Sequence, residues 1–362
     1  MSIVNNEILF PGKIAVITDA ASVNKDSFHS VDHLLEKYGT GKIIHVTFPE
    51  NFMAEQEQVV KIITSLATDR EVKVIIINHA VVGSNAAVDK FKEIRDDLFI
   101  VYCESIEDPI AAAHRANLLL GTHDSGMSQA MVKQAKKQGA KTFVHYSFPR
   151  HLSISRGTLR RELVQETCVS EGILFVGATA VDPSGEAGSA GAQQFILEDV
   201  PRLVAKYGED TAFFCSCCSL QTPLIKAVVE NHAIFPQPCC PSPYHGFPEA
   251  LGIETDAFPG DLNYVIAEAS RIAAENNMAD RLSTWPVSSS LMFANAGAEY
   301  AIKRLNGQAP KTGIDVEILE KCMAEYAKEA VGEGIDVTMT AYTEGGATYD
   351  NFKLILMGYL DF

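Results

Sequence analysis

Short apolar runs alternate with amphipathic stretches through the first half of the chain. The run Lys13 to Thr18 breaks at Asp19 to Ser22, and a helix is predicted from about Ser27 to Tyr38. The run Lys42 to Phe48 follows. Val59, Ile62, Ile63 and Leu66 then repeat at the i, i+3, i+4, i+7 spacing of a helix with one buried stripe. Val72 to Asn78 is apolar enough for a central parallel strand, whose two faces are both covered. A helix around Ala86 to Asp96, the run Leu98 to Cys103, a helix near Pro109 to Arg115 and the run Asn117 to Gly121 complete the series. Five strands with helical crossovers predict a doubly wound parallel sheet.

The helix from Ser125 to about Gln138 stops at Gly139, a residue suited to the position after a helix end, and a second series begins at Thr142 to Phe148. Strands are predicted at Ile173 to Ala178 and Thr211 to Cys215, with helices near Thr158 to Ser170 and Gly191 to Tyr207 between them. Pro201 is expected to divide or kink the second of these helices. Thr222-Pro223 reads as a cap followed by proline at the first helical position. Phe235 to Gly252, with five prolines, reads as loop. Helices at Leu262 to Asn277 and Ser288 to Leu305 flank a break at Ser283 to Pro286, and a last helix near Val316 to Ala330 precedes a strand at Val337 to Tyr342. The apolar tail Phe352 to Tyr359 is expected to pack. The expected division is a first lobe over 1–140, with 307–362 returning to it, and a second lobe with the hinge-crossing segments over 141–306.

At 362 residues the chain is about twice a usual domain of ~100 to 200 residues, in keeping with two lobes. The 30 Lys and Arg against 46 Asp and Glu leave a net charge of −16, which repels phosphate backbones and anionic lipid, so no direct nucleic-acid partner is expected. No apolar run approaches the roughly 18 residues of a spanning helix, and no membrane insertion is expected. The first residues lack a basic segment followed by an apolar one. The expected location is the cytoplasm, or, if a leader has been removed, the periplasm or a lipoprotein anchor.

The opening strand with its Asp19 to Asn24 loop, the Asp210 to Cys215 strand and the Thr284-Trp285 break before a long helix together resemble the type I periplasmic-binding-protein fold. The Cys239 to Gly246 stretch and the closing Tyr359 to Phe362 are similar to a bacterial family described as a domain of unknown function, number 3798. The resemblance implies two lobes that hold a small molecule between them and close over it by a hinge. Physical chemistry independently favours the carboxyl ends of the strands, where helix N-termini gather free N–H groups.

Candidate contacts in lobe one are Asp19, Ser22 and Asn24, then Asn78 and His79, Glu104 and Ser105, and His123 and Asp124. Lobe two offers Tyr146, Phe148 and Arg150, then Cys217 and Cys218, with Trp285 near the hinge. For a polar residue at a strand end, the competing role is a helix cap or turn. No acidic residue occurs from Ser125 to Arg161, yet eight basic ones do. Of these, Arg150, Arg156 and Arg160 could grip a carboxylate or phosphate, although pairing with acids elsewhere is the alternative.

Cys215, Cys217, Cys218, Cys239 and Cys240 are dense enough to raise zinc or an iron–sulfur cluster. Their spacing lacks a pair of CxxC motifs, so packed or cleft-lining thiols are expected instead, with no metal and no cofactor. His29 and His33, an i, i+4 pair, are expected at the surface. The leading expectation is therefore a ligand-binding protein or sensor without catalysis, whose downstream partner is a transporter or regulatory protein; a homodimer is possible for this fold. The alternative is a racemase- or lyase-like enzyme with a cleft thiol at Cys103, Cys217 or Cys218. A transcription regulator would need a DNA-binding part, and only 12 residues precede the first predicted strand.

Overall fold

A computed structural model describes residues 10–362 except 154, 259 and 333, together with the backbone but not the side chains of 155 and 156. The chain divides into two compact units. Unit 1 comprises residues 10–122, 289–329 and the stretch ending at Ile355; unit 2 comprises 123–288, 330–332 and 356–362.

Unit 1 begins with β1 (Lys13–Thr18), α1 (Lys25–His29), α2 (Asp32–Tyr38), β2 (Ile43–Thr47), α3 (Gln56–Thr68) and β3 (Val72–Ile77). It continues with α4 (Ser84–Lys92), β4 (Phe99–Cys103), α5 (Pro109–Ala113) and β5 (Leu118–Thr122). Unit 2 runs through α6 (Asp124–Lys137), β6 (Thr142–Ser147), α7 (Pro149–Leu152), α8 (Ser155–Glu171), β7 (Leu174–Thr179), α9 (Gly188–Tyr207) and β8 (Thr211–Cys215). After a 3₁₀ turn at Cys218–Leu220 come α10 (Gln221–Glu230), α11 (Phe247–Leu251), α12 (Leu262–Glu275) and β9 (Ser283–Thr284). The chain then forms α13 (Ser289–Leu305), α14 (Val316–Val331), β10 (Val337–Glu344), β11 (Ala347–Met357) and β12 (Leu360–Asp361).

The described residues of unit 1 form a seven-stranded sheet in the order β10-β11-β5-β4-β3-β1-β2. β3 lies between β1 and β4, parallel to both, as its unbroken apolar run requires. One face packs Ile75, Ile77, Ile100 and Leu119 against Val59, Ile63, Val88 and Phe91 of α3 and α4. α13 packs against β3, β4 and β5, and Gly297 permits the approach: a Cβ there would meet Val101 at 3.1 Å. β11 adds a strand parallel to β5, and Gly345-Gly346, both at positive φ, make the two-residue turn back to β10.

The described sheet of unit 2 is β7-β6-β8, all parallel. Bridges from Ala212 to Ile234 and from Phe235 to Leu282 carry it on to β9, which pairs antiparallel with β12. Val144, Tyr146 and Phe213 face Ile196, Val200, Leu224 and Ala269; the opposite face sets Phe143 and Phe214 against Met131, Val132 and Val164. Among the described residues no helix is long and apolar enough to cross a membrane.

The expected division shifts in three places. The first boundary falls at Thr122/His123 rather than at 140, because α6 packs its Met131, Val132 and Ala135 into the second core. Unit 1 resumes at Ser289 rather than 307, because α13 covers its sheet. The last seven residues go to unit 2. The predicted helix over Ser27 to Tyr38 is two helices that separate His29 from His33, so these histidines do not share a helix face. Each finds a carboxylate instead: His29 Nδ1 is 2.7 Å from Asp32, and His33 Nε2 is 2.9 Å from Glu329.

Candidate functional site

In unit 1 the adjacent strands β1 and β3 deliver Asp19 and Asn78 to one end of the sheet. Asp19 is buried, and its carboxylate Oδ1 lies 3.1 Å from Nδ1 of the partly buried His79. Its backbone N–H donates to Ser27 Oγ at 3.1 Å. Asn78 is fully buried; its Nδ2 donates to Ser30 Oγ at 2.8 Å, while its Oδ1 is buried with no partner among the described residues. Phe52 packs edge-on to His79, with ring centroids 5.6 Å apart. Three of the expected contacts thus converge at neighbouring strand ends.

Glu104, after β4, takes the left-handed φ of 43°, a costly backbone for a side chain of this size. Its carboxylate accepts from the Thr122 hydroxyl and backbone N–H at the end of β5. The remaining expected contacts of this unit serve local structure. Asn24 caps α1 by accepting from Ser27 N–H at 3.0 Å, Ser105 accepts from Glu107 N–H, and exposed Ser22 donates to Glu50 at 2.6 Å. His123 and Asp124, expected in lobe one, belong to unit 2. His123 Nδ1 caps α6 by accepting from Gly126 N–H at 3.0 Å.

In unit 2 Tyr146 is a core residue whose hydroxyl donates to Asp199 at 2.8 Å, so it is not a surface contact. Strand alternation turns it inward. Phe148 is likewise buried, covered by the His151 ring at 4.1 Å and the Arg150 guanidinium at 5.1 Å. Arg150 is engaged by Asp182 at 2.9 and 3.0 Å, and Arg160 donates to Asp124 at 3.3 Å. Lys137 and Lys141 meet Asp361 and Asp210. Arg150 and Arg160 thus pair with acids from elsewhere in the unit, the alternative weighed for these two arginines. Arg156 sits in the first turn of α8, and its side chain lies outside the described residues. Trp285 is 1% exposed and lies beside Tyr359, so its ring serves packing and offers no free face.

Two residues at these strand ends escaped the sequence reading. His151 Nδ1 is 3.0 Å from Ser216 Oγ, after β8; partial burial and Arg150 push the histidine below its ordinary value. Asp182 follows β7, the one strand of this sheet after which no candidate was sought. Extending the strand-end rule to every strand would have found it.

The candidate thiols separate sharply. Cys103 is completely buried in β4, and desolvation, with the Glu104 charge, holds its thiol well above the usual range, leaving no thiolate for catalysis. Cys217 is half-buried, its Sγ 3.3 Å from Ser219 Oγ. Cys218 Sγ lies 3.4 Å from Cys239 Sγ and 3.9 Å from Cys240 Sγ, and those two are 3.9 Å apart. Hydrogen bonds with Cys218 and Cys239 pull the Cys240 thiol down, and those with Cys218 and Cys240, followed by burial, push the Cys239 thiol up. Burial disfavours charge on His245, but the Cys218 and Cys240 sulfurs outweigh it and push the imidazole up to about 11. The sequence spacing set this cluster aside; the fold brings its members together.

Two α/β units with parallel sheets, exchanged segments and polar loops at the strand ends define a type I periplasmic-binding-protein fold. Residues 12–283 match the family described as "Protein of unknown function (DUF3798)", and the chain belongs to that family. An uncharacterized protein of Treponema pallidum (strain Nichols) is 30% identical over 178 residues, 48% of this chain and 80% of its own. The crystal structure of a putative transcriptional regulator from Clostridium difficile 630 is similar over 98% of this chain and 100% of that one, with a TM-score of 0.85 and 23% identity. A substrate-binding protein of a sugar ABC transport system from Bordetella parapertussis 12822 has a TM-score of 0.53 at 11% identity, covering 97% and 89% of the two chains.

Proposed function

We propose that this protein binds a small polar molecule through the loops at the carboxyl ends of its strands and performs no catalysis on it. The carrying observation is the convergence of Asp19, Asn78 and His79 at adjacent strand ends, with a buried carboxylate oxygen and a buried amide oxygen as acceptors. A buried acceptor without a donor costs stability, and that cost is recovered when a ligand supplies the donor. This favours a ligand rich in hydroxyl or ammonium groups. The anion suggested by the arginine-rich stretch is less suited, because Arg150 and Arg160 already hold carboxylates. Fold likeness to a substrate-binding protein supports the same reading, and a transporter or regulatory protein would then be its downstream partner. An enzyme that uses the Cys103 thiol is disfavoured by the burial of that residue.

Thermal shift against sugars, polyols, amines, amino acids, carboxylates and phosphates tests the proposal. A ligand at about 100 times its Kd stabilises the folded state by about 2.7 kcal/mol, enough to raise Tm by several degrees. A hydroxyl- or ammonium-rich compound is expected to do so, and Asp19→Asn to abolish the shift. Stabilisation by phosphates or carboxylates alone, undiminished in Asp19→Asn, would count against the proposal.

A further inference from the structure

The sulfurs of Cys218, Cys239 and Cys240 form a triangle with edges of 3.4, 3.9 and 3.9 Å. None of these separations is a disulfide, whose sulfurs stand about 2.05 Å apart. A tetrahedral zinc ion with Zn–S bonds of about 2.3 Å sets its sulfurs about 3.8 Å apart, close to the edges observed. In an iron–sulfur cluster the thiolates are spread over several irons and do not close into so small a triangle. His245 stands beside this triangle. Its Nδ1 donates to the Cys240 carbonyl at 2.8 Å, which fixes the ring at the edge of the site.

From this geometry we propose that Cys218, Cys239 and Cys240 hold a zinc ion through three thiolates, with its fourth position open to a further donor. Cys218 begins the turn after β8, whereas Cys239, Cys240 and His245 lie on the proline-rich loop between Phe235 and Phe247. That loop has little regular backbone pairing, although most of it from Pro236 to Pro243 is buried. The ion ties it to the strand end, and Cys218 and Cys240 are exposed enough for metal to enter. Binding expels the thiol protons and joins residues 21 or more positions apart in the chain. Cys217, whose sulfur instead contacts Ser219, is not a ligand. The site is independent of the Asp19 region, so either proposal can fail without the other.

Full-length protein produced with zinc and purified under reduction without chelator is expected to contain about one zinc per chain by mass spectrometry of the metal. Exchange into cobalt(II) is expected to give the intense visible bands of a tetrahedral, thiolate-rich site and a sulfur-to-metal charge-transfer band. This reading uses the unmodified chain, so it does not depend on whether a variant folds. Cys218→Ser and Cys239→Ser should each weaken zinc binding by more than about tenfold, with Cys217→Ser keeping full stoichiometry. Three results would overturn the site: metal-free protein that takes up no cobalt, a weak octahedral cobalt spectrum, or iron with acid-labile sulfide.

Discussion

His145 shows how one residue sets a pH response. It sits 1% exposed in β6 beside Phe175 and Phe214, and burial, then the charges of Arg160 and Arg161, push it down to about 3. An unfolded histidine titrates near 6.5. Between these values the unfolded chain holds a proton that the folded chain does not, so stability falls as pH drops below 6.5 and the loss is complete near 3. At pH 5 this amounts to about 2 kcal/mol. His145→Phe should flatten the fall in Tm between pH 7.5 and pH 5; an unchanged fall would remove His145 as its cause. The placement of Asp19, Asn78 and His79 at neighbouring strand ends follows at this scale from each coming directly after an apolar run. Tyr146 and Phe148 were misjudged, because alternation turns both side chains inward and only the surrounding helices show that the inside is full.

Among elements, most helices and strands follow from periodicity, but their ends depend on partners. α10 begins at Gln221, before the expected Thr222 cap, because the 3₁₀ turn leads directly into it; Thr222 instead donates to Glu249 at 3.0 Å. Pro223 remains within the first turn, where its missing N–H leaves no helix bond unmade. α9 runs through Pro201 as one helix from Gly188 to Tyr207 instead of dividing, with Ile196, Val200 and Leu203 buried on both sides of the proline. That burial offsets the lost backbone bond. α12 has a conventional start: Asp261 accepts from Tyr264 N–H at 3.0 Å. Asp261→Ala should cost about 1 kcal/mol of stability in urea denaturation. A cost near zero would show that packing of Leu262, Val265 and Ala269 alone sets the start of this helix.

At the scale of the whole molecule, the chain's last residues complete a core formed much earlier in sequence. Phe362 is 5% exposed, its ring 4.8 Å from Phe247, and its backbone exchanges hydrogen bonds with Leu282 and Asp280. Phe362→Ala should destabilise unit 2 by about 3 to 5 kcal/mol, visible as a lower unfolding midpoint in denaturant. A change below 1 kcal/mol would mean that the ring contributes little to that core.

The alternation of apolar runs and amphipathic helices determined by itself that the protein is α/β, built on parallel sheets, and polar at its strand ends, because these properties depend on near neighbours in the chain. Tertiary structure alone decided that α6 and the closing residues join the second unit, that Arg150 and Arg160 are answered by Asp182 and Asp124, and that Cys218 meets Cys239 and Cys240. Spacing along the chain carries no distance once a loop folds back; packing brings such residues within ångströms of each other.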